Sequence, residues 1–192
     1  MSQVSGPKLM TPTCEIAEEQ GFTLIELLVV LLIIGILLAI AIPTFLSVTK
    51  TANNTAAQAN LQTALTGSKT YFEAANQTYS GIYGTAAYSN IKAVDTGLSF
   101  VSGGAGSVST AANVISIYAP GSGAYVVLTS YSAGTHDCWG IEDITAAGSA
   151  LWGESTVGTY YGVWKSQTSS ANCHANYATT PTAISTTGFP HG

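Results

Sequence analysis

The chain has 192 residues and a formal net charge of −5, and only 8% of its residues are charged. A typical soluble domain is about 25% charged. The acidic balance and the lack of arginine argue against a nucleic-acid-binding surface, so no direct nucleic-acid site is expected. The length allows one ordinary domain with an additional segment, and the neutral, hydroxyl-rich composition suits a subunit that packs against copies of itself.

A long apolar run follows the polar N-terminal stretch. Residues 27–42 include no charged or strongly polar side chain, and residues 22–25 extend the run, with Thr23 and Glu26 as the interruptions. A helix of this length spans roughly 30 Å, the thickness of one hydrocarbon core. Because the run is apolar on every side, a membrane segment is a better interpretation than the buried helix of a soluble domain.

The acid Glu26 is the anomaly of this run. A carboxylate inside a membrane costs about 2.5–3.5 kcal/mol on insertion scales, so such a residue is expected to have a function and a partner. A cut between Gly21 and Phe22 would supply that partner, because the new α-amino group has a pKa of about 8 and is mostly cationic at neutral pH. In a bundle of parallel helices, the amine of a neighbour could also pair with Glu26 and fix the axial stagger of the subunits.

The stretch that carries this argument is GFTLIEL, residues 21–27. It resembles the prepilin processing site of type IV pilins and of the pseudopilins of type II secretion. The resemblance implies that a membrane peptidase cuts after Gly21, removes residues 1–21 as a leader and methylates the amine of Phe22. It also implies that Glu26 neutralises the N-terminus of a neighbouring subunit during assembly.

The resemblance further implies a location and a set of partners. The subunit would be a single-pass protein of the cell membrane before assembly and part of an extracellular pilus, a homopolymer of identical subunits, afterwards. A prepilin peptidase, an inner-membrane assembly platform and an assembly ATPase are the implied partners. The chain itself would be structural, with no catalytic residue and no cofactor. A type IV pilin is favoured over a pseudopilin, and Glu26 argues against a filament-tip pseudopilin, since such subunits often lack this acid.

Two other interpretations of the apolar run stay open. The stretch Ala39-Ile40-Ala41 is an A-x-A pattern, at which a signal peptidase could release a secreted protein that begins at Ile42. The run could instead persist as an uncleaved membrane anchor. In either case the rest of the chain would be a binding or adhesion domain. The poorly basic leader and the presence of Glu26 favour the pilin interpretation over secretion.

The sequence after Pro43 stays compatible with a helix to about Asn76, but its apolar positions lie on one side only. From Leu61 to Ala75 they recur at helical spacing, which predicts an amphipathic stripe. Pro43 removes a backbone donor and should bend the helix, and Gly35 should weaken it. Type IV pilins carry a helix-weakening glycine and proline at the matching positions, so the resemblance implies local melting of this segment in a filament.

Four strands are predicted after residues 77–112, which are interpreted as loop with short elements. The turn sequence of residues 119–123 separates the first two strands and predicts a hairpin. The short connections indicate an antiparallel sheet with one face covered by the helical stripe. The prediction is therefore an α+β, type IV pilin-like fold, with a stem at residues 22–50 and a head at residues 51–192. The predicted strands are 113–118, 124–131, 138–144 and 159–165.

The cysteines of the chain are Cys14, Cys138 and Cys173. Removal of the leader would take Cys14 away and leave two, which could form a disulfide outside the cell. Many pilins close a C-terminal loop in this way, so the resemblance supports the pairing. Zinc is the alternative, because His136 and His174 lie beside the two cysteines, although the spacings do not match the usual chelating motifs.

Three acids lie close together in and beside the third predicted strand: Asp137, Glu142 and Asp143. Such a cluster could bind calcium, but acids in this arrangement more often form a solvated surface, which is the prediction here. No metal site is expected, and no arrangement of residues in the chain stands out as that of an enzyme.

Overall fold

The computed structural model describes residues 21–83, 91, 97–104, 106–177 and 179–190. These residues belong to two compact units, one through Ile42 and one from Pro43. Most of the predicted leader, including Cys14, lies outside the described residues. Helix α1 (Leu24–Ala74) is a single 51-residue element that includes Gly35 and Pro43, close to the predicted limits.

The sequence composition of α1 changes along its length. From its start to Ala52 every residue is exposed, and most of those before Thr49 are large and apolar. Further along, apolar residues at helical spacing become buried: Ala57, Leu61, Ala64 and Leu65 are in the core, and Tyr71 and Phe72 pack at its margin. The predicted amphipathic stripe is thus confirmed.

Within the described residues, six strands form one sheet in sequential order, β1 to β6. The four predicted strands are present as β2 to β5, and their antiparallel pairing is confirmed, as is the hairpin of the first two. The strands are β1 (Ser99–Ser102), β2 (Val114–Tyr118), β3 (Tyr125–Ser132), β4 (Asp137–Ile144), β5 (Gly158–Trp164) and β6 (Ala183–Ser185).

The sheet differs from the prediction at its two edges. Strand β1 lies in the stretch interpreted as loop and pairs parallel to β2, so the sheet is mixed. A parallel neighbour requires a longer connection than a hairpin turn, which the residues between β1 and β2 provide. Strand β6 pairs antiparallel to β5 at the other edge. Both edge strands are too short to give a clear alternating pattern in the sequence.

Both faces of the sheet are buried, whereas the sequence analysis predicted that the helical stripe covers one face. Side chains alternate between the faces of a strand. On one face, Trp139 and Ile141 of β4 share a core with Leu61 of α1. On the other face, Cys138 and Trp164 pack with Trp152, which comes from the connection between β4 and β5. The second cover is therefore formed by irregular segments without a periodic pattern.

Cys138 and Cys173 form a disulfide, with their Cα atoms 5.5 Å apart, which confirms the predicted bond. It links β4 to the short 3₁₀ turn of residues Ser170–Asn172. The two histidines have other partners: the hydroxyl of Tyr131 lies 2.9 Å from His136 Nδ1, and His174 Nδ1 lies 3.3 Å from the Gly103 carbonyl oxygen. The zinc alternative lacks its thiolates, because both sulfurs are in the disulfide.

Candidate functional site at the start of helix α1

The first half of α1 presents an exposed apolar surface. Phe22 is 87% exposed, and the large side chains from Leu24 to Val48 are exposed all round the helix. By length and composition the helix is able to cross a bilayer. Contiguous apolar surface on this scale marks a membrane or protein contact.

The Gly21–Phe22 bond lies just outside the helix, which begins at Leu24. Both residues are exposed, and a Cβ atom built on Gly21 would meet no atom within 4 Å. Proteases cut most readily where the backbone is exposed and free of regular hydrogen bonding. The position predicted for processing is therefore accessible in this structure.

Glu26 occupies the first turn of α1 and forms a capping box with Thr23. One carboxylate oxygen, Oε2, accepts hydrogen bonds from the Thr23 backbone N–H at 2.9 Å and from the Thr23 hydroxyl at 2.8 Å. The Thr23 hydroxyl oxygen in turn accepts from the Glu26 N–H at 3.3 Å. These bonds satisfy donors that the first turn of a helix otherwise leaves without a partner. The negative charge also complements the positive end of the helix dipole.

Thr23 is the functional residue that the sequence analysis missed. In the sequence this residue interrupts the apolar run, and Thr-x-x-Glu before such a run is the sequence pattern of a capping box. Within the described residues, no hydrogen bond reaches the second carboxylate oxygen of Glu26, Oε1. Glu26 thus caps its own helix through one oxygen, and the other oxygen accepts no hydrogen bond from the described residues.

Gly35 and Pro43 both lie inside α1, which is continuous through them. A Cβ atom on Gly35 would meet nothing within 4 Å, so close packing within the chain does not require a glycine there. Glycine raises the conformational freedom of a helix, and proline removes one of its hydrogen bonds. Local weakening of the helix at these positions stays a prediction.

Two of the three clustered acids are buried, so the predicted solvated surface is wrong for them. Asp143 accepts hydrogen bonds from the Tyr79 hydroxyl at 2.6 Å and the Thr159 hydroxyl at 2.5 Å, and Lys69 Nζ lies 3.3 Å away. Burial and the bond to Asp143 raise the pKa of Tyr79. Partners from three separate segments make the burial of this acid possible.

Glu142 is fully buried on the opposite face of the sheet. Its carboxylate accepts hydrogen bonds from the backbone N–H groups of Leu151, at 2.5 Å, and of Trp152, at 3.2 Å. Burial raises the pKa of Glu142, while the two N–H donors act in the opposite direction. This acid therefore has a structural role: it holds the connection between β4 and β5, which includes Leu151 and Trp152, on the sheet.

Comparison with known proteins agrees with the site at the start of α1. Residues 17–42 match the family model described as the prokaryotic N-terminal methylation motif. The chain is also 47% identical to the type IV major pilin protein PilA of Myxococcus xanthus over 53 residues, which are 28% of this chain and 24% of that relative. No solved structure gives a significant match.

The fold and the site define an α+β protein in which the N-terminal methylation motif includes the start of an exposed apolar helix. By its N-terminal segment, the chain is similar to type IV pilins. The match spans about a quarter of the length of the curated relative.

Proposed function

We propose that this chain is a structural pilin subunit that is cut between Gly21 and Phe22, methylated at Phe22 and polymerised into an extracellular type IV pilus-like filament. The observation that carries the proposal is the position of Glu26. It lies one helical turn after the accessible bond, with one carboxylate oxygen free of hydrogen bonds from the described residues, at the head of an exposed apolar helix.

Burial of apolar helix surface against neighbouring subunits would drive assembly. Each Å² of apolar surface removed from water contributes about 25 cal/mol, although surface that leaves lipid contributes through packing instead. Apolar contact alone does not define an axial position. The free oxygen of Glu26 and the amine of a neighbour's Phe22 would define it, because this pairing between subunits is possible at one stagger only.

The proposed subunit begins as a single-pass membrane precursor and ends in a homopolymer outside the cell. Prepilin peptidase, an inner-membrane assembly platform and an assembly ATPase are its proposed partners, and the chain itself catalyses no reaction and needs no cofactor. Gly35 and Pro43 would let α1 unwind locally as subunits pack. Similarity to a major pilin of Myxococcus xanthus supports a pilin over a pseudopilin.

The N-terminus of the mature protein tests the processing step. Mass spectrometry of protein isolated from the producing cell should show a chain that begins with N-methylated Phe22. A chain that begins at Ile42 would support secretion by signal peptidase, and an intact leader would support a membrane anchor. Either result would overturn the proposal.

Variants of Glu26 test the assembly step. Glu26→Ala should be processed as in the wild type but should form no filaments in electron micrographs. Glu26→Gln keeps an acceptor oxygen for the Thr23 cap but lacks the charge, so it should also fail if pairing with an amine sets the register. Glu73→Ala, which removes an exposed acid of the same helix, is the matched control and should assemble. Normal filaments of Glu26→Ala would contradict the role given to this residue.

A further inference from the structure

Two charged side chains of α1 have no counter-charge within the described part of the chain. Glu26 is hydrogen-bonded within its own first turn, and Lys69 lies in an ion pair with Asp143. Lys50 and Glu73 are exposed, and neither forms a hydrogen bond or an ion pair with a described residue. The charged residues of the helix are Glu26, Lys50, Lys69 and Glu73. One cation and one acid of the same helix are thus left for partners outside the chain.

Glu73 occupies an unfavourable position for an acid. It lies in the last turn of α1, which ends at Ala74 and includes no basic residue. The C-terminal end of a helix carries a partial negative charge, so cations stabilise it and acids destabilise it. A cation supplied from outside would neutralise both the carboxylate and the helix end.

A cavity of about 300 Å³ lies beside Glu73 and suits the side chain of a lysine. Asp143 and Lys69 are part of its lining and neutralise each other, so Glu73 gives the cavity one net negative charge. The ring of Phe72 adds an apolar wall. The methylene stem of a lysine can pack on such a wall while its ammonium group reaches the carboxylate.

Among the described lysines, Lys50 is the cation that is available for this cavity. Lys165 comes directly after β5 and lies at the level of Asp137, the first residue of the neighbouring strand β4. Lys165 therefore has a carboxylate of its own chain close by. Lys50 has no acidic residue within four positions on either side along the helix.

We propose that Lys50 of one subunit pairs with Glu73 of another subunit in the filament, an inference that rests on the proposed function. Pairing within one chain is impossible, because the 23 positions between the two residues correspond to about 35 Å of helix. At about 100° per residue, the two side chains lie about 140° apart around the helix axis. They therefore point to roughly opposite sides, as a contact between parallel helices requires.

This contact would join subunits that the Glu26 pairing does not join. Glu26 lies one helical turn from Phe22, so its pairing with an amine sets a small stagger, whereas Lys50 and Glu73 require a stagger of about 35 Å. Because the contact joins two different patches of identical chains, it can repeat along a filament without closing into a ring. The two pairings would tie each subunit to a near neighbour and to a more distant one.

Cross-linking in filaments from the producing cell tests the contact. The double variant Lys50→Cys, Glu73→Cys, treated with a short bismaleimide, should give a ladder of covalent oligomers on a denaturing gel. Each single variant should give no ladder, and neither should the matched control pair Lys165→Cys, Glu73→Cys. Cys138 and Cys173 do not react, because they are joined to each other and buried.

Exchange of the two charges gives an independent measurement. Lys50→Glu and Glu73→Lys each place like charges at the contact. The concentration of free subunit in equilibrium with filaments in mild detergent should rise roughly two- to fivefold, as expected for one exposed pair. The double exchange should return it to the wild-type value, and the control Lys165→Glu should leave it unchanged. Salt at about 1 M should remove these differences, because it screens exposed charges.

The outcomes separate this inference from the proposed function. Filaments should form in every variant, because Phe22 and Glu26 are intact in all of them. Absence of filaments from the wild type would overturn the proposed function and the pairing together. Wild-type filaments combined with no ladder in the double cysteine variant, or with no recovery in the double exchange, would overturn the pairing alone.

Discussion

The backbone N–H and the hydroxyl of Thr23 both donate to one oxygen of the Glu26 carboxylate, at 2.9 and 2.8 Å. This pairing lowers the cost of an acid at the start of an apolar helix, because the charge is hydrogen-bonded within its own chain. A cut between Gly21 and Phe22 would leave both residues of the cap on the mature subunit. The cap and the pairing with an amine can therefore coexist on one carboxylate.

Replacement of Thr23 should uncap the helix. In Thr23→Val the hydroxyl is lost at nearly constant shape, and the first turn should be less stable by about 1 kcal/mol, the usual worth of an N-cap. Thr23→Ser retains the hydroxyl and should behave as the wild type. Amide hydrogen exchange of the first turn, measured by NMR in micelles, should be faster in the valine variant alone. Equal protection in all three proteins would contradict the capping role.

The features that the sequence predicts are those that depend on residues close together along the chain. The sequence singles out Glu26 and the bond after Gly21 because the run around them is long and apolar, and their roles in processing and assembly stay predictions. The Thr23 cap was also predictable from the sequence, since its pattern lies within four consecutive residues. The partners of Glu142 were not, because the N–H groups of Leu151 and Trp152 come from an irregular segment that folds back over the sheet.

The same distinction holds for the fold. The helical stripe and strands β2 to β5 follow from periodicity within single segments. The parallel pairing of β1 and the second cover of the sheet depend on contacts between segments that lack a periodic pattern. Gly140 and Gly162 illustrate this, because each faces the ring of Trp152, which covers their side of the sheet, and nothing adjacent to them in sequence indicates that ring.

Glu142 should make stability depend on pH. Because its pKa is raised above the ordinary value of 4.5 in the folded chain, the folded state holds this proton more tightly than the unfolded state does. The contribution is therefore fully present below pH 4.5 and is lost as the pH rises through the folded pKa. Urea unfolding between pH 4.5 and 8 should show a steeper loss of stability for the wild type than for Glu142→Gln. Parallel curves would contradict the prediction.

The Tyr79–Asp143 hydrogen bond should contribute more to the free energy of unfolding than the Lys69–Asp143 ion pair does. Tyr79→Phe leaves a largely buried carboxylate with one partner fewer, and a hydrogen bond to a charged group is worth about 1.5–3 kcal/mol. Lys69 is half exposed, so Lys69→Gln should cost less than about 1 kcal/mol. The free energy of unfolding of each variant, from urea titration at pH 7, checks the order. A larger loss of unfolding free energy for Lys69→Gln than for Tyr79→Phe would contradict the prediction.

The disulfide should be a major source of stability for the second unit. The bond joins residues 35 apart in sequence, and loop-closure entropy predicts roughly 3–4 kcal/mol for a loop of this size. The double variant Cys138→Ser, Cys173→Ser should lose about that amount in urea unfolding. A reducing agent should lower the stability of the wild type towards the double variant and leave the double variant unchanged. Sensitivity of the double variant to the reducing agent would point to another cause.

Gly140 should be intolerant of any side chain. A Cβ atom there would lie 2.9 Å from Trp164 Cζ3 and 3.0 Å from Trp152 Cζ2, in a layer where both rings are buried. Overpacking of this kind costs about 1–3 kcal/mol, because the rings are large and edge-packed on each other at 5.3 Å and cannot yield separately. Gly140→Ala should therefore unfold at lower urea concentration than the wild type. Gly104→Ala is the control, since its Cβ would meet nothing within 4 Å, and equal stability of the two variants would show that the tryptophan layer is able to adjust.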